Sequence, residues 1–170
     1  APTNILDIGS GDAQITLALA KHYNLNSSNV YVLDDKSPEN SDYTKLDRTG
    51  DTIPLPDQSV DLIVLFSVLH HISVADRDLL LAEIARVLAP TGCIIIREHD
   101  FDHTDSFRIY CEMLHIIWYL LKHETSDPLV LFSSHQADEM FATYNLSRIG
   151  YQTYNVHNPQ RLYYAVYGRE

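Results

Sequence analysis

Two glycines and two acids lie close together in the segment 7–13, whose sequence is DIGSGDA. Glycines let the backbone turn sharply and approach a ligand closely, and a helix that begins directly after them presents free N–H groups. The dinucleotide fingerprint GxGxxG needs a glycine or alanine at position 14, where this chain carries Gln14. The segment therefore fits an ordinary tight turn or a ligand site, and it supports nicotinamide or flavin binding only weakly.

Two adjacent acids, Asp34 and Asp35, follow the next apolar run of the chain at 30–33. An acid at the end of a second strand has the chemistry to accept two hydrogen bonds from a ribose diol. Asp34 is the first choice for this role, and Asp35 beside it is the alternative. For either acid alone, a solvated turn residue is about as good an interpretation.

Histidines and acids also follow two later apolar runs. In 97–100, with sequence REHD, His99 is a candidate general base, because histidine exchanges protons near neutral pH and a neighbouring carboxylate can orient it. His70 and His71 follow the run 60–66, and His70 is a second catalytic candidate, although a packing role fits each of them as well. Because no HExxH or Cys/His ligand pattern occurs, the sequence predicts no metal site.

The elements that position these residues follow from the hydrophobic pattern. Short apolar runs predict five strands that alternate with helices through the first hundred residues, which implies crossover connections and a parallel sheet. Apolar residues recur at helical spacing from Phe107 to Leu121, a further helix is predicted over 134–144, and two alternating strands at 151–156 and 162–167 close the chain. The prediction is an α/β fold: a Rossmann-like, open, mostly parallel seven-stranded sheet with helices on both faces and a C-terminal antiparallel hairpin.

Composition narrows the function classes. The 170 residues include 12 basic and 23 acidic residues, for a net charge of −11, so a broad nucleic-acid platform is disfavoured. A local basic groove, a neighbouring basic domain or a partner protein stays open. Cys93 and Cys111 form no CxxC pair and fit buried, reduced thiols, which predicts a cytoplasmic protein. Apolar stretches such as 116–121 are too short to span a bilayer, so we expect a single domain over 1–170 with no membrane association.

Four blocks of sequence occur in the order found in one enzyme family. The segment 7–11 (DIGSG) resembles the first motif of class I S-adenosylmethionine-dependent methyltransferases, and 53–63 (IPLPDQSVDLI) resembles their LPFPDxSFD-type loop and fourth strand. The segments 66–72 (FSVLHHI) and 83–92 (EIARVLAPTG) are similar to the family's next loop and to its EIxRVLxPGG helix and turn. The blocks cover roughly residues 4 to 100, and together they are far more specific than any one alone.

The resemblance implies S-adenosyl-L-methionine as the cofactor and assigns residues to it. Asp34 would hold the ribose hydroxyls, with Asp35 as its alternative. The family's adenine-contacting acid falls on Thr49 here, so Asp51 or Asp47 would take that role after a loop shift. The remaining residues would surround the methionine part and the sulfonium end: Asp7, Gly9, Ser10, Gly11, Phe66 and Ser67.

The acceptor of the methyl group stays open at this point. The resemblance implies transfer to an oxygen or nitrogen nucleophile of a small molecule, a protein or RNA, and we expect the family's N-terminal covering helix to be absent or abbreviated. One alternative is an RNA cap methyltransferase domain of a larger viral protein, because 97–100 resembles a run in methyltransferase domains of some viruses. Another is a non-catalytic cofactor-binding scaffold, and a third is a nicotinamide-dependent oxidoreductase, which Gln14 disfavours.

Overall fold

The computed structural model describes residues 1–34, 36–47, 52–101, 130–153 and 162–169, together with five positions between 110 and 121. In the described residues, strands and helices follow one another as β1 Ile5–Ile8, α1 Gln14–Tyr23, β2 Val30–Leu33, β3 Thr44–Lys45, β4 Val60–Phe66, α2 Val74–Val87, β5 Leu88–His99, α3 Ser134–Ala142, β6 Ser147–Thr153 and β7 Leu162–Gly168. Short 3₁₀ helices lie at Ser27–Asn29 and Leu69–His71.

The strands form one seven-stranded sheet in the order β3-β2-β1-β4-β5-β7-β6. The first five strands pair in parallel, and β7 lies antiparallel between β5 and β6. The predicted fold class is therefore confirmed, including the antiparallel C-terminal strands. Since chain order reverses on either side of β1, the crevice beyond the carboxyl ends of β1, β2 and β4 is where open α/β sheets bind ligands.

Alternation along the central strands gives the sheet two apolar faces. On β4, Ile63 and Leu65 belong to the larger core, and Leu62 and Val64 face the opposite side. The larger core is completed by α2 and α3, whereas α1 packs on the other face near β1 and β2. Both faces are covered, which explains why these strands read as continuous apolar runs.

Two helices begin with serine caps. Helix α2 begins after Ser73, whose Oγ accepts the Asp76 backbone N–H at 3.2 Å. At α3 the Ser133 hydroxyl and the Gln136 side chain form a reciprocal capping box. These caps fix where each helix leaves the loops at the carboxyl edge of the sheet.

Several element boundaries differ from the pattern-based expectation. The strand β5 already begins at Leu88, which pairs with Val60 of β4; the register then shifts, and regular pairing resumes at Cys93 opposite Leu62. Likewise β6 begins at Ser147, four residues before the predicted position. Between 110 and 121 the described residues are helical, as the spacing predicts, and their side chains are exposed: Tyr110, Met113, Leu114, Ile117 and Leu121.

Candidate active site

The glycine turn after β1 is held by its own backbone and by β2. Gly9 and Gly11 both adopt positive φ angles, of 70° and 57°, which non-glycine residues rarely take. The Gly9 N–H donates to the Leu33 carbonyl at 3.0 Å, which ties the turn to the end of β2. A Cβ on Gly11 would meet no atom within 4 Å, so this backbone borders open space. The turn thus has the shape expected of a ligand cradle.

The loop after β2 closes on that turn through two side chains. Asp34 accepts the Gly11 N–H at 2.7 Å through Oδ2 and the Lys36 N–H at 2.7 Å through Oδ1. The buried Ser37 hydroxyl donates to the Gly11 carbonyl at 2.8 Å and lies 2.7 Å from the Ser10 hydroxyl. The structure therefore brings together the predicted residues Ser10, Gly11 and Asp34, although they are more than twenty residues apart.

Asp7 is the buried acid of this site. It lies on β1 with only 3 % of its surface exposed, and its carboxylate accepts a short hydrogen bond from the Thr16 hydroxyl of α1. Burial raises the pKa of Asp7 to about 6; the Thr16 hydrogen bond opposes this shift, and the negative charge of Asp34 adds to it. A carboxyl that titrates near neutral pH beside a ligand turn is typical of functional sites.

The turn after β4 packs directly against the glycine turn. Ser67, the first residue after β4, has a φ of 60°, and its N–H donates to the Arg97 carbonyl at 2.8 Å. The next residue, Val68, lies so close to Gly9 that a Cβ there would be 2.5 Å from Val68 Cγ2. Phe66 and Ser67 thus stand at the same edge as the glycine turn.

Glu98 holds this turn from the inside of the protein. Its side chain is fully buried, and Oε1 accepts the N–H groups of Val68 and Leu69 at 3.0 and 2.8 Å. Oε2 lies 2.5 Å from Nδ1 of His70, whose side chain is also buried. One carboxylate on β5 therefore fixes three consecutive residues of the turn after β4.

Three histidines gather at this end of the sheet. The His70 ring lies 4.1 Å from the His71 ring and 5.5 Å from the His99 ring, measured between centroids. His70 is 1 % exposed, whereas His71 and His99 are half-buried at the edge. Asp100 accepts hydrogen bonds from the backbone and hydroxyl of Ser134, so it anchors the start of α3.

The EIARVL motif of α2 holds the loop before β4 in place through Arg86. Arg86 donates to Glu83 and Asp57 and to the carbonyl oxygens of Ile53 and Leu55, at distances between 2.6 and 3.0 Å. These carboxylates hold the pKa of Arg86 well above its ordinary value. Glu83 and Arg86 of the EIARVL motif therefore connect the loop before β4 to helix α2.

Some predicted residues lie outside the described residues, namely Asp35 and Asp51, so the structure carries no account of them. Other residues of the site had no assigned role in the sequence-based prediction: Thr16, Ser37 and Val68. For Glu98 a signal was present, because alternation along β5 places it on the same face as the buried Ile94 and Ile96. A charged residue in a buried register indicates an internal hydrogen-bonding role.

Comparison with known protein families matches residues 6–96 to a family described as a methyltransferase domain. Since this match spans more than half of the chain, the chain belongs to the methyltransferase domain family. The class indicated by the sequence motifs is thereby confirmed, and the comparisons lend no support to a viral origin. A search of curated protein sequences found no match.

Solved structures share the fold at low sequence identity. A SAM-dependent methyltransferase of Thermotoga maritima superposes with a TM-score of 0.72 and 14% identity, over 100% of this chain and 83% of that one. A chain from the complex of the Haloferax volcanii Trm112 methyltransferase activator with a methyltransferase superposes with a TM-score of 0.69 and 18% sequence identity. That alignment covers 98% of this chain and 82% of the other. LepI in complex with SAM superposes with a TM-score of 0.71 and 16% sequence identity. The alignment covers 99% of this chain but only 43% of LepI.

No helix among the described residues is long and apolar enough to cross a bilayer.

Proposed function

We propose that this chain binds S-adenosylmethionine and transfers its methyl group to an oxygen or nitrogen nucleophile. The observation that carries the proposal is the hydrogen bond between Asp34 and the Gly11 N–H, which joins the predicted ribose acid to the predicted glycine turn. Fold neighbours described as SAM-dependent or solved with SAM support the same cofactor. When bound, the cofactor supplies an electrophilic methyl group on a positively charged sulfur.

The residues present fit that cofactor. Each Asp34 oxygen accepts one backbone N–H and keeps a lone pair that a ribose hydroxyl can use. The open space beside Gly11 admits a ligand against the backbone, and the raised pKa of Asp7 lets it hold a proton or a charge near neutral pH. Phe66 and Ser67, opposite the glycine turn, are in place to border the methyl group.

On the acceptor side, alignment of the nucleophile supplies much of the rate, since it replaces a bimolecular encounter. His99 is the proposed base, because its ring is half-buried at the edge, next to the turn that Glu98 fixes. His70 keeps its candidate role, although its burial and its bond to Glu98 suit a positioning residue better than a direct base. Replacing His99 with alanine should lower turnover about 10²-fold and leave cofactor affinity unchanged.

The acceptor we propose is a small molecule or a protein side chain. A net charge of −11 opposes a polyanion such as RNA, unless a basic domain or partner protein supplies the missing charge. The Haloferax neighbour was solved with an activator protein, which makes a partner worth testing here. Screening radiolabelled methyl transfer against pools of RNA, protein and small molecules separates these classes, and strong RNA methylation by the chain alone would contradict this choice.

Calorimetry with S-adenosylhomocysteine tests the cofactor assignment. The wild-type chain should bind it and gain thermal stability, and Asp34→Ala should weaken binding at least about tenfold, because hydrogen bonds to a charged group are lost. The matched control is Asp42→Ala, which removes an exposed acid of the same loop between β2 and β3. A folded protein that binds NADH and not S-adenosylhomocysteine would establish the oxidoreductase alternative.

A further inference from the structure

Arg97 stands at the carboxyl end of β5, beside the end of β4. Its Nη2 donates to the Ser67 hydroxyl at 2.9 Å, and its guanidinium carbon lies 5.7 Å from the centre of the Phe66 ring. Tyr164 of β7 packs edge-on against Phe66 at 5.9 Å between ring centroids and pairs with Arg97 across the sheet. The guanidinium is thus half-buried among aromatic rings, next to the turn that borders the proposed methyl group.

The charge of Arg97 has no counter-charge among the described residues. Arg86 and Arg148 each contact a carboxylate, of Glu83 and Asp138 respectively, whereas Arg97 makes one hydrogen bond to a neutral hydroxyl. Its Nε is buried and has no hydrogen-bond partner in the described part of the chain. A desolvated cation with an unsatisfied donor is costly unless an anion meets it.

We propose that Arg97 binds a carboxylate of the methyl acceptor, so that the substrate class is a small organic acid. The inference rests on the proposed function, since it assumes that an acceptor enters beside Ser67. A planar carboxylate matches the planar guanidinium and can accept from its Nη groups, of which only Nη2 makes a hydrogen bond within the described part of the chain. Arg97 offers one positive charge, and the net charge of the protein is −11. We therefore expect this site to bind a small anion with one charge in preference to a polyanion, which the protein would repel.

The aromatic surroundings favour an acid whose body is flat and apolar. Phe66 and Tyr164 offer ring surface directly beside the cation, so benzoate is the simplest probe and benzamide is its neutral match. Protein saturated with S-adenosylhomocysteine should bind benzoate at least about tenfold more tightly than benzamide. Addition of benzoate should also shift the ¹⁵N resonance of Arg97 Nε, which is assigned by its loss in Arg97→Gln.

The variant arm uses Arg97→Gln with Arg148→Gln as its control, because Arg148 also lies over an aromatic ring but already pairs with Asp138. Arg97→Gln should reduce benzoate affinity at least about tenfold and leave S-adenosylhomocysteine affinity within twofold, and Arg148→Gln should change neither. Equal affinity for benzoate and benzamide, or unchanged benzoate affinity in Arg97→Gln, overturns the proposal.

The cofactor also has a carboxylate, so a separate experiment tests whether Arg97 binds the carboxylate of the acceptor or that of the cofactor. If Arg97→Gln weakened S-adenosylhomocysteine tenfold but left 5′-methylthioadenosine unchanged, the cation would serve the cofactor, and the proposal for the acceptor would be wrong. If wild-type protein bound no S-adenosylhomocysteine at all, the proposed function would fail, and the NMR titration with benzoate would still report on Arg97.

Discussion

Replacing Glu98 with glutamine tests whether one buried carboxylate organises the acceptor side. Glu98→Ala would strand three buried donors, at about 1–3 kcal/mol each, which approaches the whole stability of a domain. Glu98→Gln keeps the volume and one acceptor oxygen, but it removes the charge and places an amide against Nδ1 of His70. The glutamine variant is therefore the informative one.

The expected loss of folding stability in Glu98→Gln follows from the three hydrogen bonds that Glu98 accepts. Hydrogen bonds to a charged group are worth about 1.5–3 kcal/mol, and a neutral acceptor gives roughly half of that. Three bonds then lose about 2–4 kcal/mol, and relief of the buried charge returns part of the loss. We expect a net destabilisation of about 1–3 kcal/mol, which corresponds to a fall in Tm of roughly 2–12 °C for a chain of this size.

The assay combines urea unfolding with calorimetry. Affinity for S-adenosylhomocysteine should fall in Glu98→Gln, because the turn fixed by Glu98 carries Val68 against Gly9. NMR of the histidine ring should also show the His70 proton moving from Nδ1 to Nε2. The control Glu139→Gln removes a carboxylate that is 67% exposed and should stay within about 0.5 kcal/mol of wild type. Wild-type stability and affinity in Glu98→Gln would refute this account of the turn.

Two further predictions concern the glycine turn and the acid beside it. The pKa of Asp7 is raised from 3.8 to about 6, so the folded state holds a proton that the unfolded chain releases, and wild-type stability falls as pH rises through this range. Asp7→Asn should remove that loss, worth about 3 kcal/mol, and urea unfolding of both proteins from pH 4 to 8 should give diverging curves; parallel curves would contradict the assignment. Gly9→Ala should destabilise by about 2–5 kcal/mol, because positive φ strain adds to the overlap with Val68, whereas Gly11→Ala should cost only about 1–2 kcal/mol. In thermal unfolding, Val68→Ala should partly rescue Gly9→Ala and should not rescue Gly11→Ala.

The fold and the meeting of the glycine turn with the loop after β2 were predictable because they follow from the order of the apolar runs. Continuous apolar runs separated by helical spacing define parallel strands, and the carboxyl ends of β1 and β2 necessarily meet at one edge. That geometry alone places Asp34 near Gly11. The motif DIGSG and the order of the four blocks then fix the family that the comparison confirms.

The contacts that hold the turn after β4 were less predictable because they join distant parts of the chain. Glu98 binds donors 28 to 30 residues earlier in sequence, and no spacing rule reports such a pairing. Ser73 and Asp76 are both good capping residues three positions apart, and each accepts from the other: Ser73 Oγ accepts the Asp76 N–H, and Asp76 Oδ2 accepts the Ser73 hydroxyl. Residues 89–92 lie in β5 where its register against β4 shifts, between the Leu88–Val60 and Cys93–Leu62 pairs, and no local sequence pattern reports such a shift.

The position of β7 between β5 and β6 has a consequence for biosynthesis. The strand that emerges first, β6, is hydrogen-bonded in the described sheet to β7 alone, and the free edge of β5 is closed only by β7 as well. Until residues 162–168 leave the ribosome, the edges of β5 and β6 that β7 occupies stay unpaired. Glu98 lies opposite Tyr163 in that pairing, so the strand that carries the buried carboxylate gains its second neighbour only when β7 inserts.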